Sequence, residues 1–161
     1  MAATDTSRRT WSTGFTLVEV IAVLIIIGIL AAVAASRVGD NQSRVVAAAD
    51  KLKVHLRHAQ LRAMHSDTSW GVHNSSSSYW LYSGDDITSR SVFLGEEADT
   101  VPLPAGVSVS GFTNLSFDAW GRPYNGVDPA SGSLLDSDQA VTVGNGHTVT
   151  ITITRETGFI P

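Results

Sequence analysis

Hydrophobic and polar positions along the chain fall into three regimes. From Phe15 to Ala35 every residue except Thr16, Glu19 and Gly28 is hydrophobic. As a helix this run is about 30 Å long, one hydrocarbon thickness. From Arg44 the pattern changes: Val45, Ala49, Leu52, Leu56, Ala59 and Ala63 recur at alternating steps of four and three. That spacing puts one apolar stripe on one helix face, with Arg44, Lys51, Lys53, Arg57 and Arg62 largely elsewhere. The stripe ends near His65, short of the three or four heptads of a coiled-coil seam, so it is expected to pack on the chain's own sheet. Ser36 and Gly39 lie between the two regimes. With no proline ring to break a backbone bond, one long helix is expected, curved or weakened near Gly39–Asn41.

After Asp67 the period falls to two. Ser69–His73 and Tyr79–Tyr82 read as strands joined by the turn-forming stretch Asn74–Ser78, and Val92–Leu94 as a third. Pro102 and Pro104 indicate an edge or a connection before the alternating Val107–Ser110. Leu115 and Phe117 should share one face of a strand that Gly121 and Pro123 end, with Trp120 expected to pack on the turn, the alternative being a role at a contact between subunits. Tyr124–Asp138 is polar and reads as a surface loop. Ala140–Val143 and His147–Thr154 flank Gly144-Asn145-Gly146 as a hairpin, with Val149, Ile151 and Ile153 facing inward and Thr150, Thr152 and Thr154 outward. The predicted class is therefore α+β: a long N-terminal helix, half transmembrane and half amphipathic, packed on an antiparallel β-sheet head. The predicted divisions are 1–14, 15–37, 38–66 and 67–161.

Charge sharpens this division. The formal net charge of −4 conceals a basic stem and an acidic head. Arg37–His65 carries six Lys or Arg against two Asp, whereas Ser66–Pro161 carries three Arg against eleven acids. A head at −8 argues against nucleic-acid binding, which needs cationic surface. Arg8-Arg9 before the apolar run places the N-terminus in the cytoplasm and the head across the membrane. The chain has no cysteine, so the head is stabilised without disulfides. Glu19 is the one ionisable residue in the apolar run, and an unpaired acid in hydrocarbon costs on the order of 2.5 kcal/mol or more.

No catalytic pattern emerges. His55, His58 and His65 share a helical side without acidic companions at metal-ligand spacing, so a solvated helix face is expected. Asp128, Asp136 and Asp138 lack the ordered spacing of a calcium loop. The serines have no recognisable His and acid setting, and Gly144-Asn145-Gly146 is a turn rather than a phosphate cradle. No enzyme activity, cofactor or metal is expected.

The string Gly14-Phe15-Thr16-Leu17-Val18-Glu19 behind a basic leader resembles the type IV prepilin signature. That resemblance implies cleavage by a prepilin peptidase between Gly14 and Phe15, N-methylation of Phe15, and an assembly contact in which Glu19 pairs with the new amine of a neighbouring subunit. It also implies a pilin-like fold, residence in the bacterial inner membrane with a periplasmic head, and extraction by an inner-membrane assembly platform into a pilus or type II secretion pseudopilus. Three further segments resemble the pseudopilin H group and the minor pilins of mannose-sensitive haemagglutinin pili: Leu56–Ala63, Phe117-Asp118-Ala119-Trp120-Gly121-Arg122-Pro123, and Thr157-Gly158-Phe159-Ile160. The expectation is a minor pilin or pseudopilin. The alternatives are a FimT-like minor pilin that binds DNA for uptake and a membrane-anchored periplasmic domain that never assembles.

Overall fold

A computed structural model of the chain describes residues 15–75 and 77–161, with side chains except those of residues 35–40. Residues 1–14, among them the expected cleavage residue Gly14, and Ser76 lie outside the described residues. Helix α1 spans Leu17–Met64. It starts two residues after the predicted position because Thr16 caps it, and the backbone is helical across residues 39–41, where softening was expected. A glycine inside a helix costs only about 1 kcal/mol, too little to end one.

The chain divides into two units, residues 1–38 and 39–161. In the first, Leu17–Ala34 has a mean hydropathy of 3.0 and no residue buried. It is long and apolar enough to cross a membrane.

The second unit combines the amphipathic half of α1 with antiparallel strands. Ten are seen among the described residues: β1 Trp70–Ser75, β2 Ser78–Ser83, β3 Arg90–Ser91, β4 Val101–Pro102, β5 Ser108–Ser110, β6 Asn114–Phe117, β7 Pro123–Asn125, β8 Ser133–Leu134, β9 Gln139–Asn145 and β10 His147–Ile153. One sheet runs β3-β2-β1-β6-β7-β8, with β4 also on the outer edge of β2; the other runs β10-β9-β5. The fold class is thus α+β, an N-terminal apolar helix followed by antiparallel sheets.

All six predicted stripe residues of α1 are buried, joining Leu81, Phe117, Val143, Ile151 and Ile153 in one core. This settles the stripe as a face packed within the chain. Burying a Leu side chain contributes about 1.5–3 kcal/mol, and Leu52 and Leu56 are fully enclosed. The last hairpin follows its alternation: Ile151 and Ile153 are buried, Val149 is half-buried, and Thr150 and Thr152 are exposed.

Several local expectations are corrected. The first hairpin pairs Ser75 with Ser78, so its loop is two residues rather than five. Ser75 Oγ donates to the Ser78 carbonyl at 3.0 Å, a local bond that lets polar residues continue the strands. Val92–Leu94 is not a strand; Arg90–Ser91 pairs instead, and Phe93 turns into the core while Leu94 stays exposed. Pro123 begins β7, which pairs with β6, so it opens a strand at the same point where β6 ends. The supposed loop Tyr124–Asp138 contains the end of β7 and all of β8. Leu115 and Phe117 do share a face, yet Ser116 is equally buried on the other. The Tyr82 ring lies across Gly71 and its hydroxyl donates to the Val127 carbonyl at 2.7 Å, which seals that second face.

Candidate functional site

Phe15 and Glu19 sit at the start of α1. Thr16 Oγ1 accepts from the Glu19 N–H at 3.3 Å, and the Thr16 carbonyl accepts from the N–H groups of Glu19 and Val20 at 3.1 and 3.2 Å. Thr16 is therefore the N-cap and Glu19 the third helical residue, the Thr-x-x-Glu spacing of a capping box. A carboxylate in the first turn is also favoured by the helix dipole. Phe15 is 84% exposed, and with Glu19, Val20, Val23 and Leu24 it lines a shallow apolar cleft on the helix. The Glu19 carboxylate is exposed and makes no ion pair among the described residues. In an apolar setting such an acid is costly unless a cation pairs with it, and no described residue supplies one. The structure thus places Phe15 and Glu19 together; Gly14 lies outside the described residues.

A second ionisable group of note is one for which a solvated position was expected. His55 is 3% exposed, its ring stacked on Phe93 at 4.1 Å. Nδ1 lies 2.9 Å from the Tyr79 hydroxyl and Nε2 3.5 Å from Glu96, which in turn pairs with Lys51 at 2.8 Å. The tautomer protonated at Nε2 satisfies both contacts, with Nδ1 accepting from Tyr79. Burial pushes His55 down to about 4; Glu96 opposes the shift, and Lys51 and His58 reinforce it. At neutral pH the ring is uncharged, so its contact with Glu96 is not an ion pair. His58 is half-buried and also lowered, chiefly by burial and then by Arg62, while His65 remains on the surface. The three histidines therefore do not form one set.

This arrangement makes stability pH-dependent. An unfolded His55 takes a proton near 6.5 and the folded one only near 4. The unfolded chain binds more protons between those values, so stability is full above pH 6.5 and is lost as pH falls toward 4. Between pH 7 and pH 5 the loss should be about 2 kcal/mol. Urea midpoints at both pH values measure it, and in His55→Leu the difference should shrink. An unchanged difference in that variant would exclude His55 as its source.

The turn Asp118–Arg122 is built around one carboxylate. Asp118 Oδ1 accepts from the backbone N–H groups of Trp120 and Arg122, both at 2.9 Å. Its Oδ2 meets Arg122 Nε at 2.8 Å and Nη2 at 2.7 Å, and takes a longer bond from the Tyr124 hydroxyl. The Phe-Asp-x-x-Gly-Arg-Pro pattern thus encodes a self-capped turn. Trp120, expected to pack, is instead 78% exposed, because the bonds that rigidify the turn leave its side chain pointing off it.

The acidic loop is used locally. Asp128 accepts from the Ser131 N–H and hydroxyl, and Asp138 accepts from the Arg155 N–H. The Asp136 carbonyl, rather than its carboxylate, accepts from Arg155 Nη1. Among the described residues no three His, Asp or Glu side chains gather as a metal site.

Comparisons with family models, with curated proteins and with solved structures returned no match to this chain. Two contributors at these positions escape sequence reasoning to different degrees. Thr16 was detectable from its spacing to Glu19. Glu96 was not: it approaches His55 from a distant loop, and no local pattern signals that.

Proposed function

We propose that the chain is a prepilin-like structural subunit, a minor pilin or pseudopilin with a pilin-like fold. The observation that carries this reading is Glu19: an exposed carboxylate with no ion pair among the described residues, in the first turn of an apolar helix, four residues after Phe15 and five after Gly14. Prepilin peptidase cuts between Gly14 and Phe15 and methylates the Phe15 amine. The helix holds the chain in the bacterial inner membrane until the assembly platform draws it into a pilus or pseudopilus. There the Phe15 amine of one copy meets Glu19 of a neighbour, and two charges that are costly apart become a pair. The stripe packed within the head supports the reading: it accounts for the amphipathic half of α1 inside the chain, whereas no residue of Leu17–Ala34 is buried.

Glu19→Val tests the pairing. The substituted helix is more apolar, so membrane insertion should be unchanged, whereas fibre incorporation should fall at least about tenfold, the equivalent of 1.4 kcal/mol. Quantifying the subunit in sheared fibre fractions against membrane fractions gives the answer. Equal incorporation of Glu19→Val and the native chain would remove the amine–carboxylate contact from the mechanism.

A further inference from the structure

Two of the three tryptophans among the described residues are fully provided for within the chain. Arg62 lies over the Trp70 ring at 4.6 Å and Arg90 over Trp80 at 4.1 Å. Their indole N–H groups donate to Ser66 Oγ and to the Ile87 carbonyl, both at 2.8 Å. Trp120 has neither a cation over its ring nor a partner for its indole N–H among the described residues, and it stands exposed on a turn held rigid by Asp118. A large aromatic side chain on a preorganised support is the composition of an interface anchor.

The same unit carries a cleft with the complementary make-up. Ala48, Val101, Leu103 and Pro104 form its apolar lining, and Arg44 and Lys51 stand at its rim. Its volume is about 230 Å³. That is smaller than the roughly 300–1,000 Å³ of small-molecule sites and suits one protruding side chain. Arg44 is exposed and makes no ion pair among the described residues. A guanidinium beside an apolar slot is what an indole face seeks.

We propose that Trp120 of one copy of this chain docks into the Arg44–Lys51 cleft of a second copy. A copy cannot fill its own cleft. Gly121, next to Trp120, lies against Gln60 and Met64, whereas the cleft adjoins Ala48. Ala48 and Gln60 are about 18 Å apart along α1 at 1.5 Å per residue, beyond the reach of one side chain. Knob and slot are therefore different surfaces, and a contact between different surfaces propagates head to tail into an open series. The negative face of the Trp120 ring meets the Arg44 cation, as Trp70 and Trp80 do within the chain, and the apolar lining receives the ring edge. The contact identifies which surfaces of neighbouring β-rich units meet, which the subunit reading leaves open, and it rests on that reading.

The chain lacks cysteine, so introduced pairs report without background. Exposed Ala47 and Ala119 flank the slot and the knob. The full chain carrying Ala47→Cys and Ala119→Cys, oxidised mildly in membranes, should give a ladder of disulfide-linked dimers, trimers and larger species. Adding Trp120→Ala or Arg44→Glu should reduce the ladder about fivefold or more, and Trp120→Phe less. The circular dichroism spectrum should be unchanged, since both side chains are exposed. An absent ladder, or one undiminished by Trp120→Ala, overturns the contact. The subunit reading fails differently: if the chain is shortened and enters fibres without forming the ladder, that reading stands and the contact is wrong. A ladder from a chain that is never shortened keeps the contact and removes the fibre.

Discussion

Gly14→Val leaves a chain that is never shortened. The substituted protein should run at its full 161-residue mass, stay in the membrane fraction and be missing from fibres. The native chain should yield a mature form that begins at Phe15 and carries one extra methyl group on its amine. The expectation follows from the proposed role of Gly14 as the residue read at the cut, where a branched side chain stands in place of a hydrogen atom. Its consequence for assembly is electrostatic. Without cleavage Phe15 has no free amine, and the Glu19 carboxylate has no partner to offset its cost in an apolar core. Immunoblotting of membrane and fibre fractions, with mass measurement of the N-terminal peptide, reads both effects. A mature form of the Gly14→Val chain would remove the processing step, and the prepilin reading with it.

Gly158→Val should destabilise the head by roughly 2–5 kcal/mol, the sum of a left-handed backbone penalty of about 1–2 kcal/mol and an overpacking cost of about 1–3 kcal/mol. Gly158 has φ +66°, and a Cβ there would run into the Gly121 carbonyl oxygen and lie 2.6 Å from Gln60 Nε2. The same glutamine amide donates to the Gly121 carbonyl at 2.9 Å and to the Thr157 carbonyl at 3.0 Å. Arg57 clamps the neighbouring segment, its Nε and Nη2 donating to the Ile160 carbonyl at 3.1 and 2.8 Å. One side chain at Gly158 therefore disturbs the junction of helix, turn and C-terminal segment together. Gly146 provides the control, because it has φ +70° with open space around it. Gly146→Ala should cost only the backbone term, about 1–2 kcal/mol. Urea denaturation of the two variants separates the terms, and equal losses would show that the Gly158 junction contributes nothing beyond its backbone conformation.

The elements legible in the sequence are those whose signal is periodic and local. The apolar run emerged as helix, its length and unbroken apolar composition being local properties. The stripe from Val45 to Ala63 and the inward Ile151 and Ile153 emerged as expected because burial repeats with the geometry of the helix or strand itself. Errors gathered where a local signal was outweighed by a partner remote in the chain. Asn74 and Ser75 look like turn formers, yet β2 pairs with both and the Thr113 carbonyl, just before β6, accepts from the Asn74 N–H, so both are strand. Val92–Leu94 looks like a strand, but the chain there turns so that Phe93 can stack on His55. At the start of α1 the Thr16-x-x-Glu19 spacing was readable as a cap, whereas the roles of Phe15 and Glu19 in processing and assembly remain part of the proposal.

What the sequence by itself determined is the opening helix and its chemistry: a length of apolar residues, one acid at its start and a basic leader before it. These are one-dimensional properties, set by composition and spacing. Tertiary structure alone decided that His55 is buried and neutral and that Trp120 is exposed. Both depend on which distant segments arrive: Phe93, Tyr79 and Glu96 enclose the histidine, whereas the Asp118 carboxylate holds the turn and leaves Trp120 78% exposed. The solvation of a single side chain off the periodic pattern is a property of the assembled surroundings, set by segments that its sequence neighbours do not encode.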